Sequence, residues 1–160
     1  MSSAERAFSR HEAYSEDGDG YRLETTAFDG RVSQDDDSSY RLVVRAPTLD
    51  AAVEEEVGPA LQEGWFETFE LRLEDAPGAV HGSVELEELT VTSVDSEVVV
   101  EMRFELYPGR APDVAKALAE YVEGTYMEGI VPGYSYRPPV SEMLSRARQG
   151  ESDDRGPMPL

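Results

Sequence analysis

The stretch Val84–Tyr107, VELEELTVTSVDSEVVVEMRFELY, decides the fold of this 160-residue chain. From Val98 onward its apolar residues alternate. Val98, Val100, Met102, Phe104 and Leu106 fall on one face, and Val99, Glu101, Arg103, Glu105 and Tyr107 on the other. A period of two sustained this long marks a strand with one buried face. The preceding strand alternates as well, but its phase slips between Leu86 and Leu89. A two-residue turn at Asp95-Ser96 pairs Val91 with Val100 and Leu89 with Met102. Carried further without interruption, that register would bury Glu87 opposite Phe104, and an unpaired buried carboxylate costs several kcal/mol. The sequence therefore predicts a one-residue bulge near Glu87-Glu88, which sets Leu86 against Phe104 and Val84 against Leu106.

Working outward, the length is that of one domain with a sizeable core, predicted over residues 1–150. No cysteine occurs, which excludes disulfides and thiolate chemistry. There is no long apolar run and no signal-like segment, so no membrane partner and a cytoplasmic location are expected. Thirty-four acids against fourteen bases leave a net charge of −20. Of the bases thirteen are Arg and only Lys116 is Lys; Asn is absent and Ile130 is the single Ile. That bias points to a GC-rich genome. At molar salt the screening length falls to about 3 Å, so a carboxylate-rich surface stays hydrated at little Coulomb cost. The composition resembles that of haloarchaeal proteins that work in brine, and most of the acids then read as adaptation to solvent.

The remaining segments arrange themselves around the hairpin. Ser2 and Glu5 form a capping box for a first helix within residues 1–14. Glu16–Gly20 breaks it. Tyr21–Ala27 and Tyr40–Ala46 alternate as strands and are expected to form a second hairpin, with Asp29-Gly30 in a turn and Asp35–Ser39 a mobile loop. Thr48 caps a helix whose apolar face is Leu49, Ala52, Val53, Val57, Ala60 and Leu61, with a kink or break at Gly58-Pro59. Gly64 is taken as its stop, and Trp65–Glu74 as a strand with Phe69, Leu71 and Leu73 inward. Pro112 opens a long helix ended by Gly129 and Pro132. Val131–Pro139 reads as extended, Val140–Gln149 as a last helix stopped by Gly150, and 151–160 as a disordered acidic, Pro-containing tail.

The expected order is thus α-ββ-α-βββ-α-α. Strands with one apolar face need helices on one side only. The predicted fold is α+β, a two-layer sandwich with an antiparallel sheet of about five strands. At least one β-α-β crossover is expected. A ferredoxin-like plait and a curved sheet wrapping one helix both fit.

Chemical motifs are sparse. His11 and His81 lack partners at zinc-ligand spacing. His81, near Glu85, is the best acid–base candidate, though a surface histidine is the simpler reading. Asp17-Gly-Asp19-Gly20 has acids like a calcium loop, but Tyr21 and Arg22 occupy the wrong places. The Asp35–Asp37 run has acids without geometry. Ser135 lacks the glycine frame of a nucleophile elbow. No metal, cofactor or catalytic residue is assigned. Arg22, Arg41, Arg45, Arg72 and Arg103 all fall on outward strand positions among glutamates, either as a lattice of cross-strand ion pairs or as a docking face. The interleaved acids make a nucleic-acid partner unfavourable. Tyr134, Tyr136 and Arg137, before Pro138-Pro139, are the candidate partner-binding residues because Tyr and Arg are favoured at binding hot spots. Tyrosines capping the core edge are the structural alternative.

The runs LDAAVEEEVGPALQEGWFETFELRLEDA (Leu49–Ala76) and YPGRAPDVAKALAEYVEGTYMEGIVP (Tyr107–Pro132), with the composition, resemble the small acidic haloarchaeal proteins grouped as a domain of unknown function. That resemblance covers about residues 1–150 and carries no site over. The expected function is a halophilic, cytoplasmic, non-catalytic binding or adaptor domain for a protein or small molecule, with a homodimer through a sheet edge as one option. Two alternatives stand beside it: a small enzyme whose sheet–helix pocket uses His81 or a buried Glu, and an acidic mimic of nucleic acid.

Overall fold

A computed structural model describes residues 2–36, 38–80 and 84–155. Among them, α1 (Ser3–Arg10) is followed by four strands, β1 (Tyr14–Asp17), β2 (Gly20–Leu23), β3 (Asp29–Gln34) and β4 (Ser39–Pro47). A short α2 (Leu49–Ala52), α3 (Pro59–Leu73) and a 3-10 turn (Ala76–Ala79) lead to β5 (Leu86–Val94) and β6 (Glu97–Glu105). The helices α4 (Ala111–Glu128) and α5 (Val140–Arg155) complete the chain. The six strands form one antiparallel sheet in the order β1-β2-β3-β4-β6-β5. This is an α+β fold with six strands rather than five.

The central hairpin has the register its sequence predicts. Val91 pairs with Val100, Leu89 with Met102 and Leu86 with Phe104, and the bulge lies between Leu86 and Glu88. It turns Glu88 to the wet face beside Arg103, 3.4 Å away, so no carboxylate enters the core. Asp95 takes a left-handed φ of 55° in the turn, where a short polar side chain is tolerated. Val84 is buried but precedes the strand, so its expected pairing with Leu106 is not part of the ladder. Met102 and Phe104 are wholly buried, each contributing roughly 1.5–3 kcal/mol by leaving water.

Several expectations are corrected. Trp65–Leu73 is helix, not strand. Trp65, Phe69 and Leu73 recur every fourth residue and are buried, whereas Leu71, inward on the strand reading, is 64 % exposed. Gly64 does not stop a helix but lies within α3, which starts at Pro59, so the Gly58-Pro59 break is real and the second piece is the long one.

The first sheet half is two hairpins rather than one. Glu16–Gly20 turns β1 into β2 with Gly18 at φ 60°. A Cβ on Gly20 would stand 2.6 Å from the Val32 carbonyl oxygen, so β3 approaches more closely than any side chain allows. Asp29-Gly30 opens β3 instead of forming a turn, and β4 pairs with β3 and β6 rather than with β2. The predicted strand ends at Leu23 because the Ala27 and Phe28 N–H groups donate to the Glu123 carboxylate of α4, at 2.7 and 3.0 Å, not to a neighbouring strand. Finally, α5 runs through Gly150 to Arg155; residues 156–160 of the expected tail lie outside the described residues.

β4 and β5 are both antiparallel to β6, which lies between them, so they run the same way. Their connection carries α2 and α3 across the sheet. The strand order is a four-strand meander extended by β6 and β5, not an interleaved plait. Its greasy face is covered by α4, whose Ala111, Ala115, Leu118, Ala119 and Val122 are buried. Small residues at 111, 115 and 119 let the helix axis approach the sheet. Among the described residues no helix is long and apolar enough to cross a membrane.

Candidate functional site

An apolar concavity of about 380 Å³ lies between α3 and the C-terminal end of α4. Its floor is aromatic. Trp65 and Phe69 stack with their centroids 5.7 Å apart, and Tyr126 meets both rings edge-on at 5.3 and 5.9 Å. The Tyr126 hydroxyl is turned inward and donates to the Pro47 carbonyl at 2.8 Å, so burial pushes its pKa up and it offers no acid or base to the groove. Ile130 and Val131 close one end, and Leu61, 41 % exposed, stands at the lip.

The rim is charged. Arg72 Nε approaches Glu128 Oε2 at 3.8 Å, and the Tyr121 hydroxyl donates to the Arg72 carbonyl at 3.1 Å, fastening α4 to α3. A second depression, of about 400 Å³, continues along α4 past Ala117, Glu120, Tyr121 and Gly124; Thr125 and Glu128 line both. Two glycines stand inside these helices, Gly64 in α3 and Gly124 in α4. At neither would a Cβ meet any atom within 4 Å. Each costs its helix about 1 kcal/mol relative to Ala, and no close packing requires it. Gly64 lies in the lining of the first concavity and Gly124 in that of the second, and neither sends a side chain into it.

The residues singled out in the sequence are placed elsewhere. Tyr136 bridges Val53, and its hydroxyl accepts from the Val131 N–H at 2.8 Å. Burial raises its pKa. Tyr134 is half-buried against the core, and the exposed Arg137 anchors its N–H on the Ala52 carbonyl at 2.8 Å. Ser135 donates its N–H to both carboxylate oxygens of Glu55, which holds that acid below the usual carboxylate range. This segment is an extended strap across α2. It does not join the α3–α4 groove, although Val131, which lines the groove, receives the Tyr136 hydroxyl.

His11 is engaged at both ring nitrogens. Nε2 lies 2.7 Å from Asp113 Oδ1, and Nδ1 accepts the Ala13 N–H at 3.2 Å, which ties α1 to the start of α4. His81 lies outside the described residues. Asp17 is occupied by Arg22 and Arg31. No cluster of three potential metal ligands occurs among the described residues. On the wet sheet face Arg41 pairs with Asp35 and Glu101, Arg103 with Asp35 and Glu88, Arg45 with Glu97, and Arg22 with Asp17 and Asp29. Arg72, expected there, is on α3.

The sequence model of a family described as being of unknown function, DUF5813, matches residues 9–146. The chain belongs to that family. No curated protein and no solved structure matches it. In this DUF5813 chain the groove has no counterpart on a strand reading of Trp65–Glu74, because it exists only where Trp65 and Phe69 stand on a helix beside α4. The four-residue spacing of Trp65, Phe69 and Leu73, with Leu61, Gly64 and Thr68 on the adjoining stripe, is the signal that reveals it.

Proposed function

We propose that this DUF5813 chain is a non-catalytic binding domain, and that the α3–α4 groove receives an apolar side chain carried on a cationic protein segment. The observation that carries this reading is the groove itself, a concavity of about 380 Å³ between two helices above the rings of Trp65, Phe69 and Tyr126, with Gly64 in its lining. The sign of the partner follows from charge. From Glu54 to Asp75, the stretch containing α3, eight acids face one base, Arg72. Where salt leaves that field unscreened a basic partner gains from it and an acidic one is repelled, and at molar salt the gain is confined to direct contacts. The net charge of −20 supports a halophilic protein working in the cytoplasm of a salt-accumulating cell.

Catalysis is less well supported. The acid lining the groove, Glu128, is exposed and shares its charge with Arg72. The acidic-mimic reading draws on the same eight acids, but a duplex mimic offers no use for an aromatic floor.

Trp65 is the chain's single tryptophan, so its emission reads occupancy of the groove directly. Titration with a synthetic Leu/Arg amphipathic peptide is expected to shift that emission. A Leu/Glu peptide of the same pattern is expected to leave it unchanged, and Thr68→Arg to weaken the first by tenfold or more. A silent Trp65 with both peptides, or an equal response to both, contradicts the reading.

A further inference from the structure

The sheet has two free edges, and they differ. β1 is four residues long and carries Glu16 and Asp17. Short length and charge are the ordinary protections of an edge strand. β5 is nine residues long, and Leu89–Val94, LTVTSV, is the longest uncharged run in any of the strands. It has no proline and no lysine, and Val94 is 55 % exposed. Beside it lies a shallow depression of about 440 Å³ lined by Pro77, Val84, Leu86 and Leu89 with Glu74 and Glu85. Among the described residues this edge is protected only at its start, by the bulge and by Glu87 and Glu88.

We infer that the β5 edge pairs with β5 of a second copy, antiparallel, about a two-fold axis at Val91. The outward N–H and C=O groups of an edge strand alternate along it, so two identical edges can meet only through residues of the same parity. The axis must then pass through a residue rather than between two. The regular part of β5, from the bulge to the turn, is Glu88–Val94, and its midpoint is Val91. Centred there, Val91 opposes Val91 of the second copy, Thr90 opposes Thr92, Leu89 opposes Ser93, and Glu88 opposes Val94. Thr–Thr and aliphatic cross-strand pairs are favourable, and no acid within this segment faces another. Parallel pairing would instead bring Glu87 and Glu88 of both copies together.

Charge outside the strand sets the condition. Each copy carries −20, and beyond the paired segment Glu87 lies near Asp95 of the second copy. Repulsion opposes association at low salt and fades as salt screens it, while the backbone ladder is indifferent to salt. Association therefore strengthens with salt, whereas a cationic strand bound at the same edge would weaken.

The chain has no cysteine, so a single introduced thiol reports without ambiguity. Sedimentation of the full chain from 0.1 to 2 M NaCl is expected to show monomer giving way to dimer. On oxidation in high salt, Val91→Cys is expected to give a covalent dimer, and Glu16→Cys on the far edge to remain monomeric. Should Val91→Cys not fold, Thr90→Cys mixed with Thr92→Cys gives the same bridge, and neither does so alone. A monomer throughout the salt range, a dimer that dissociates as salt rises, or cross-linking through Glu16→Cys instead overturns the inference.

Discussion

The wet face of the sheet and the outer face of α3 and α4 use charge in opposite ways. On the sheet, Arg22, Arg31, Arg41, Arg45 and Arg103 each have a carboxylate within reach, most on a neighbouring strand, and Asp35 serves Arg41 and Arg103 together. On the helices, α3 carries Glu63, Glu67 and Glu70 against Arg72, α4 carries Asp113, Glu120, Glu123 and Glu128 against Lys116, two glycines leave space unfilled, and leucines stand in water at 61 and 71. A surface whose charges are already paired has little field left to offer a partner. One with unpaired charge beside an apolar floor has both attraction and contact area to give. On the proposed reading, an acidic composition is not even in its consequences, and the outer face of α3 is where its excess meets a partner.

The largest effect is expected beneath the groove. Phe69→Ala removes a ring packed on Trp65 and Tyr126 and should destabilise the fold by about 3–5 kcal/mol, read by chemical denaturation. Glu123→Ala comes next. It leaves the Ala27 and Phe28 N–H groups without their acceptor and should cost about 1–3 kcal/mol, whereas Glu120→Ala, three residues away and exposed, should cost much less.

Alkaline unfolding tests the same packing. Burial raises the Tyr14 and Tyr126 pKa values above that of an unfolded tyrosine. The folded state then holds protons that the unfolded state releases, so stability is intact below about pH 10 and falls as pH rises beyond it, by about 1.4 kcal/mol per pH unit for each. Tyr126→Phe should flatten that slope by one tyrosine's share. An unchanged slope would mean that the hydroxyl is not buried against Pro47. The smallest effect belongs to the sheet face. Asp35→Asn removes the shared partner of Arg41 and Arg103, yet these pairs are half in water, so the cost is about 1 kcal/mol or less and vanishes in high salt. A large, salt-independent loss would break the contrast between the faces.

The hairpin was legible because two constraints agreed: strict alternation from Val98 to Leu106 and the penalty for burying Glu87, which fixed the bulge. The long helix α4 and the one-sided layering followed from similar redundancy. Trp65–Leu73 was not legible, since Phe69-Glu-Leu71-Arg-Leu73 satisfies a period of two as well as Trp65, Phe69 and Leu73 satisfy a period of four. Only packing on Tyr126 decides between them. β3 was hidden because Asp29-Gly30 has the chemistry of a turn, while the partner that makes it a strand, Val44, is distant in sequence. The groove inherited the first error, because a helix assigned as a strand has no neighbouring helix with which to form a cleft. Tyr134 and Tyr136 are conspicuous in composition, but both rings pack against the core and the Tyr136 hydroxyl is taken by the Val131 N–H.

Gly64→Ala tests the central claim most directly, with denaturant stability and Leu/Arg peptide affinity measured on the same sample. The added methyl touches nothing within 4 Å and improves the helix, so stability should rise by about 1 kcal/mol while affinity falls severalfold as the methyl fills the groove. Stability that rises with affinity unchanged would contradict the account, because the glycine would then serve no binding function.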